Sequence, residues 1–168
     1  YGGGPQGLCG AIADHNFATN RTVYLAYATR DANAPTPAPR LGGFLTIARA
    51  RLSTDSTKVE DVHVLLNAEG IGGRIIQAAD GTLLITSSIP AGVGIDSGDW
   101  PQPQQLDSLM GKVLRINPDG TVPKDNPFVG QANARPEIFA LGIRDDQGLA
   151  FHPRTGRLWA SEHGPRGG

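Results

Sequence analysis

The chain has 168 residues, 39% of them hydrophobic and 18% charged, with a net charge of −1 and a pI near 6.5. That composition excludes a disordered chain, and without a basic field nucleic acid is not an expected partner. The 23 glycines and 13 prolines, scattered without period, exclude a helical bundle and favour short strands joined by tight turns.

No apolar run approaches the ~20 residues of a membrane-spanning helix, so no membrane insertion is expected. A single cysteine, Cys9, excludes an internal disulfide framework and reads as a small buried hydrophobe. The length suits one domain or part of a larger one.

In chain order, the first element is a hairpin: Gly10–Ala13, a polar turn at Asp14–Asn20, and the β-forming run Val23–Tyr27. Asp31–Arg40 carries three prolines and reads as an exposed insertion. Phe44–Leu52 alternates apolar and polar residues and is followed by a second strand at Val62–Leu66. The hairpin pattern then recurs at Gly73–Ile76, Ala78–Gly81 and Thr82–Thr86. Ser87–Pro103 is a long Gly/Pro-rich loop, of the kind that is usually functional or mobile. Gln104–Met110 is the one stretch expected to make a helical turn. Lys112–Asn117 and Glu137–Leu141 form another strand pair around the turn Asn117-Pro-Asp-Gly120, where Pro presets φ and Gly accepts a positive one. A third hairpin follows at Gly148–Phe151, His152–Gly156 and Arg157–Ser161.

Gly10, Gly73 and Gly148 thus open three like units roughly 60–75 residues apart, a repeat period that suits stacked supersecondary units. The fold expected is all-β, a β-propeller of which this chain covers about three four-stranded blades, residues 1–168 forming one partial domain. A β-sandwich also uses short strands at regular spacing, but paired hairpins favour the propeller.

The chemistry-bearing residues gather late in the chain. Arg144, Glu162, His163 and Arg166 fall on loops at related strand ends, against the plainer reading of a charged, solvated turn. His15 and His152 lie in hairpin turns and His63 on an alternating strand, so each reads as structural or solvated. Gly70-Ile-Gly-Gly73 leads into a strand and lacks the spacing and helix of a dinucleotide loop.

Three stretches are specific: Gly111–Phe128 (GKVLRINPDGTVPKDNPF), Gly142-Ile-Arg with Gln147–Phe151, and Glu162–Gly168 (EHGPRGG). Together with Gly7-Leu-Cys-Gly, Phe17–Arg21 and Gly72-Gly-Arg74, they make the chain resemble the soluble PQQ-dependent aldose sugar dehydrogenases. This is the glucose/sorbosone dehydrogenase family of six-bladed propellers. The resemblance implies oxidation of an aldose at C1 to the lactone with PQQ and Ca²⁺ as cofactors, in the periplasm or outside the cell. It also implies that a histidine takes the hydroxyl proton and that calcium polarises the quinone.

Position by position, the arginine that pairs with the cofactor matches Arg144, and the carbonyls that hold calcium match Gly164 and Pro165. Other positions depart from the family pattern. Gly70 stands where the catalytic histidine is expected, a change worth on the order of 10²–10⁴ in rate. Asp145 replaces the cofactor-binding asparagine, and Asp146 the proline after it. Gln6 is displaced by one from the expected glutamine, whose place Pro5 holds. Glu69, beside the vacant position, is the candidate substitute base. The departures set a second expectation beside the first: a propeller that kept its scaffold and became a binding or interaction module. Three blades are about half a ring of six, so the chain is expected to be part of a longer polypeptide or to pair with a second copy.

Overall fold

The computed structural model describes residues 7–30, 43–89 and 102–163. They form ten strands in three antiparallel sheets. Strands β1 (Gly7–Ala13), β2 (Thr22–Arg30), β3 (Gly43–Leu52) and β4 (Val59–Glu69) make a four-stranded sheet in chain order. Strands β5 (Ile75–Gln77), β6 (Leu83–Ser87), β7 (Lys112–Ile116) and β8 (Ile138–Leu141) make a second one. Strands β9 (Asp146–Phe151) and β10 (Leu158–Glu162) form a two-stranded third.

The expected all-β architecture and the three hairpins are therefore present, while the described residues supply two complete four-stranded units and the opening hairpin of another. One expectation fails. Gln104–Met110 runs as turns and bends, and the helical turn lies instead at α1 (Phe17–Asn20), inside the first hairpin. Lys112 draws the segment in at its far end. Its fully buried Nζ donates to the carbonyls of Gln102 and Met110 at 2.6 and 2.7 Å. Burial pulls that ammonium down to about 8, against the pull of Asp107.

Register explains which face of the first sheet is covered. Tyr24, Ala26 and Ala28 pair with Arg49, Ile47 and Leu45, and this face packs on the second sheet. From the second sheet come Ile75, Ile85, Leu114 and Ile138, paired across one row, with Leu83 and Ile116 on the same side. The sheets meet closely where β1 passes the entry to β5. A Cβ on Gly73 would stand 2.7 Å from Leu45 Cδ1 and 2.9 Å from Ala26 Cβ, so only glycine lets the backbone come this near.

The opposite face of the first sheet carries Leu8 opposite Tyr27, Leu25 opposite Ala48, and Val64 opposite Ala48. Leu8, Val62 and Val64 are more than half exposed there. Between them on the same face, Thr46, Ala48 and Ala50 are buried.

Asp14 ties the first hairpin to the second sheet. Its carboxylate accepts from Asn16 N, Asn20 Nδ2, Tyr24 OH and Gln77 Nε2 at 2.8–3.0 Å. Burial pushes this carboxyl up, but the four hydrogen bonds outweigh it and hold the pKa at about 2. Because the folded value lies below the unfolded 3.8, the contribution is present above about pH 4 and is lost as pH falls through about 2. Asp14→Ala is expected to destabilise by about 2–3 kcal/mol at pH 7, read by urea unfolding. Asp14→Asn should flatten the acid limb of stability below pH 4; an unchanged limb would remove Asp14 from this role.

Candidate functional site

β1, β5 and β9 are the first strands of the three sheets, and they neighbour one another, β1 beside β5 and β5 beside β9. Their starting ends define one cleft of about 250 Å³. Cys9 lines it from a bulge in β1, Ile71–Arg74 from the segment entering β5, and Asp145–Gln147 from the start of β9. The residues singled out from the sequence follow this arrangement: Gly70 precedes β5, and Arg144 precedes β9. Gln6 stands just before β1 in the sequence, but it lies outside the described residues, as do Gly164, Pro165 and Arg166.

Gly70 is buried with φ +104°, and a Cβ there would lie 2.6 Å from the carbonyl oxygen of Ser88. The cause is a bridge between Ile71 and Ser88, whose N–H groups each donate to the other's carbonyl at 3.0 and 2.6 Å. The bridge seats the Ser88 carbonyl over Gly70, so the position has no room for a histidine as well as lacking one. Glu69 points elsewhere. It is exposed, its Oε2 accepts from Ser108 Oγ at 3.2 Å, and it does not line the cleft.

Arg144 is half-buried; its Nη1 donates to the His163 carbonyl at 3.2 Å, and its backbone N–H to Glu162 Oε2 at 3.2 Å. Arg74 donates through Nε to the Gln147 carbonyl at 2.8 Å. Both keep further guanidinium N–H groups without a partner among the described residues, a donor set that fits the carboxylate and quinone oxygens of an anionic cofactor. Asp145 is already engaged. Its Oδ1 accepts from Gln147 Nε2 at 2.7 Å and its Oδ2 lies 3.9 Å from His163 Nδ1.

Asp146 stands out from its neighbours. It is only 4% exposed; its Oδ1 accepts from Gly148 N at 3.0 Å, and its Oδ2 is buried with no partner. Burial pushes this carboxyl up to about 6, and the charges of Glu162 and Asp145 add to the rise, opposed by the Gly148 hydrogen bond and Arg74. The sequence marked Asp146 only as a departure that brings negative charge. Nothing in its spacing announces a buried, unpartnered oxygen.

Cys9 departs from expectation by being half-buried at the cleft instead of in the core, and burial raises its pKa so that it stays a thiol. His15 and His63 are exposed, and His152 Nδ1 accepts turn N–H groups from Arg154 and Thr155, in keeping with structural or solvated roles. Among the described residues, no group of three or more His, Cys, Asp or Glu side chains could hold a metal ion.

Antiparallel sheets placed side by side, with a cleft at the starts of their first strands, define a protein of propeller type. The sequence profile of the glucose/sorbosone dehydrogenases matches residues 1–168, and the chain belongs to that family. It is 34% identical over 174 residues to the aldose sugar dehydrogenase YliI of Escherichia coli K12, covering 98% of this chain and 43% of that protein. A crystal structure of glucose dehydrogenase superposes with a TM-score of 0.83 at 33% identity, over 100% of this chain and 46% of that one. The PQQ-bound aldose sugar dehydrogenase of Streptomyces coelicolor does so with a TM-score of 0.71 at 26% identity, over 98% and 44%. The chain spans less than half the length of these relatives.

Gly70→His is expected to destabilise the fold, because the positive φ alone costs about 1–3 kcal/mol in a non-glycine residue and the Ser88 carbonyl must also move. Thermal unfolding should show a drop of about 2–4 °C for each kcal/mol. A variant as stable as the parent would show that the position is open.

Proposed function

We propose that the protein carrying this chain oxidises an aldose sugar at C1 to the lactone, with PQQ and calcium as cofactors, in the periplasm or outside the cell. The observation that supports this reading is the family match running through all 168 residues, with Arg144 kept at the cofactor-pairing position. Arg144 would hold the cofactor's anionic oxygens through its uncommitted N–H groups, and the Gly164 and Pro165 carbonyls would hold calcium. When bound, PQQ supplies the two-electron acceptor that no side chain can provide. The chain's own part is to bind and orient. Gly72 and Gly73 contribute no side chains to the cleft, Ile71 gives it an apolar patch, and Arg74 with Asp145 and Asp146 sets its polarity. No helix among the described residues is long and apolar enough to cross a membrane.

The test is to add PQQ and Ca²⁺ to the purified chain and follow the quinone absorbance on adding glucose. Sugar-dependent reduction is the expected outcome, and PQQ that binds without being reduced by any aldose would overturn it. That second outcome is the binding-module reading, which the closed backbone at Gly70 favours, because a propeller without a proton acceptor keeps its ligand unreacted.

The exposed apolar residues of the first sheet bear on the partner. Leu8, Phe44, Val62 and Val64 present apolar surface of the kind that drives association. The remainder of a ring, in a longer polypeptide or supplied by a second copy, would cover it. Light scattering on the isolated chain should show self-association, and a stable, well-folded monomer of 17.6 kDa would contradict both versions.

A further inference from the structure

We infer that Asp146 is the residue of this cleft that receives a sugar hydroxyl and takes its proton, in place of the base that Gly70 cannot provide. The inference rests on the sugar-binding part of the reading above and makes its own claim about one side chain.

The first ground is the unpartnered oxygen. A buried carboxylate oxygen without a donor costs about 1–3 kcal/mol or more, so natural structures rarely leave one unsatisfied. Asp146 Oδ2 is such an atom, in a residue that lines the cleft. What it lacks is an O–H or N–H donor. Oδ2 is shut off from solvent, so a hydroxyl reaches it only after the carboxyl turns about χ2, a soft torsion for aspartate, at the expense of the Gly148 hydrogen bond to Oδ1.

The second ground is the company it keeps. From the segment entering β5, Arg74 stands over the same cleft; from β1, Cys9 is a neutral thiol; from β10, Glu162 is the residue paired with Asp146. Asp145 precedes it in the chain and is engaged with Gln147 and near His163, whereas Arg144 is engaged with Glu162 and His163. The Asp146 N–H is held by Ser88 Oγ at 3.2 Å, which fixes the backbone beneath the carboxyl. An acceptor and a cation on one small cleft suit adjacent hydroxyls, one donating to Asp146 and the next accepting from Arg74. The volume of about 250 Å³ lies below the roughly 300–1,000 Å³ of drug-sized sites and suits a single monosaccharide.

The third ground is proton affinity. A carboxyl held at about 6 is ionised at neutral pH, yet it accepts a proton more readily than an ordinary aspartate, which is the tuning a general base requires. In the step, the sugar O–H bond breaks, the Oδ2–H bond forms, and the electron pair stays on the sugar oxygen. A hydroxyl donor stabilises the ionised form, so bound sugar should lower the Asp146 pKa, and by linkage the sugar should bind more tightly above pH 6 than below it.

The test uses the full chain without PQQ, so that it stands apart from the quinone assay. Calorimetric titration with glucose, galactose and xylose from pH 4.5 to 7.5 is expected to show at least one sugar whose affinity rises through about pH 6. Asp146→Asn, close in shape and relieved of a buried charge, should fold, weaken that sugar about tenfold and abolish the pH dependence. Carbon-13 NMR of the wild-type carboxyl should show its midpoint falling when the sugar is added. Failure of every sugar to bind, an Asn variant with the parent's pH profile, or a midpoint that sugar does not move would each overturn the inference. Sugar binding with the expected pH limb but no quinone reduction would instead uphold Asp146 and overturn only the cofactor reading.

Discussion

The close approach at Gly73 governs the arrangement of this chain. With no Cβ there, Leu45 and Ala26 of the first sheet reach the backbone that leads into β5, and Gly10 in turn lies against the Gly73 carbonyl. Any side chain at position 73 would push the two first strands apart and open the layer of Tyr24, Ile47, Ile75 and Ile85 between the sheets. The cleft depends on the same spacing, because its walls are the starting ends of the strands that Gly73 allows to converge. Asp14 and Gln77 fasten the far ends of β1 and β5 by a part-buried hydrogen bond, so the first strands are held at both ends.

The fold was legible because its signals are local. A glycine in or just before each first strand, a polar turn and a second apolar run mark each hairpin without long-range information. The helical turn expected at Gln104–Met110 failed for a tertiary reason. Lys112 gives its protons to the carbonyls of Gln102 and Met110, which a helix would have turned along its axis instead. Conversely, α1 has no apolar periodicity to announce it. It exists because Asp14 and Asn16 organise the turn around it, with Arg21 closing the end in a left-handed conformation.

Of the candidate site, Arg144 and Gly70 come from the resemblance, and both fall shortly before the first strand of a sheet. Glu69 was chosen for its nearness in sequence, but in an extended strand neighbouring side chains point to opposite faces, and this carboxylate turned to Ser108. The sequence marks Asp146 only as a departure from the family pattern, for a related reason. Whether a carboxylate is solvated or buried without a donor is decided by what packs around it from other strands, here Ser88 from the end of β6 and Glu162 from β10. No feature of residues 142–151 alone encodes that.

Convergence of the first strands also bears on the proposal that Asp146 takes the proton in place of Gly70. The starts of β1, β5 and β9 look onto one volume, so a group supplied from any of them would face a ligand held there. The Ile71–Ser88 bridge draws the Ser88 carbonyl over Gly70 and closes the β5 position. The same Ser88 holds the Asp146 N–H through its hydroxyl, so one residue both shuts the first position and steadies the second. A histidine reinstated at 70 would have to displace the Ser88 carbonyl and would disturb the support of Asp146 at the same time. The two positions are therefore mechanically exclusive in this backbone, and the exclusivity follows from one bridge between β6 and the strand entry at 71.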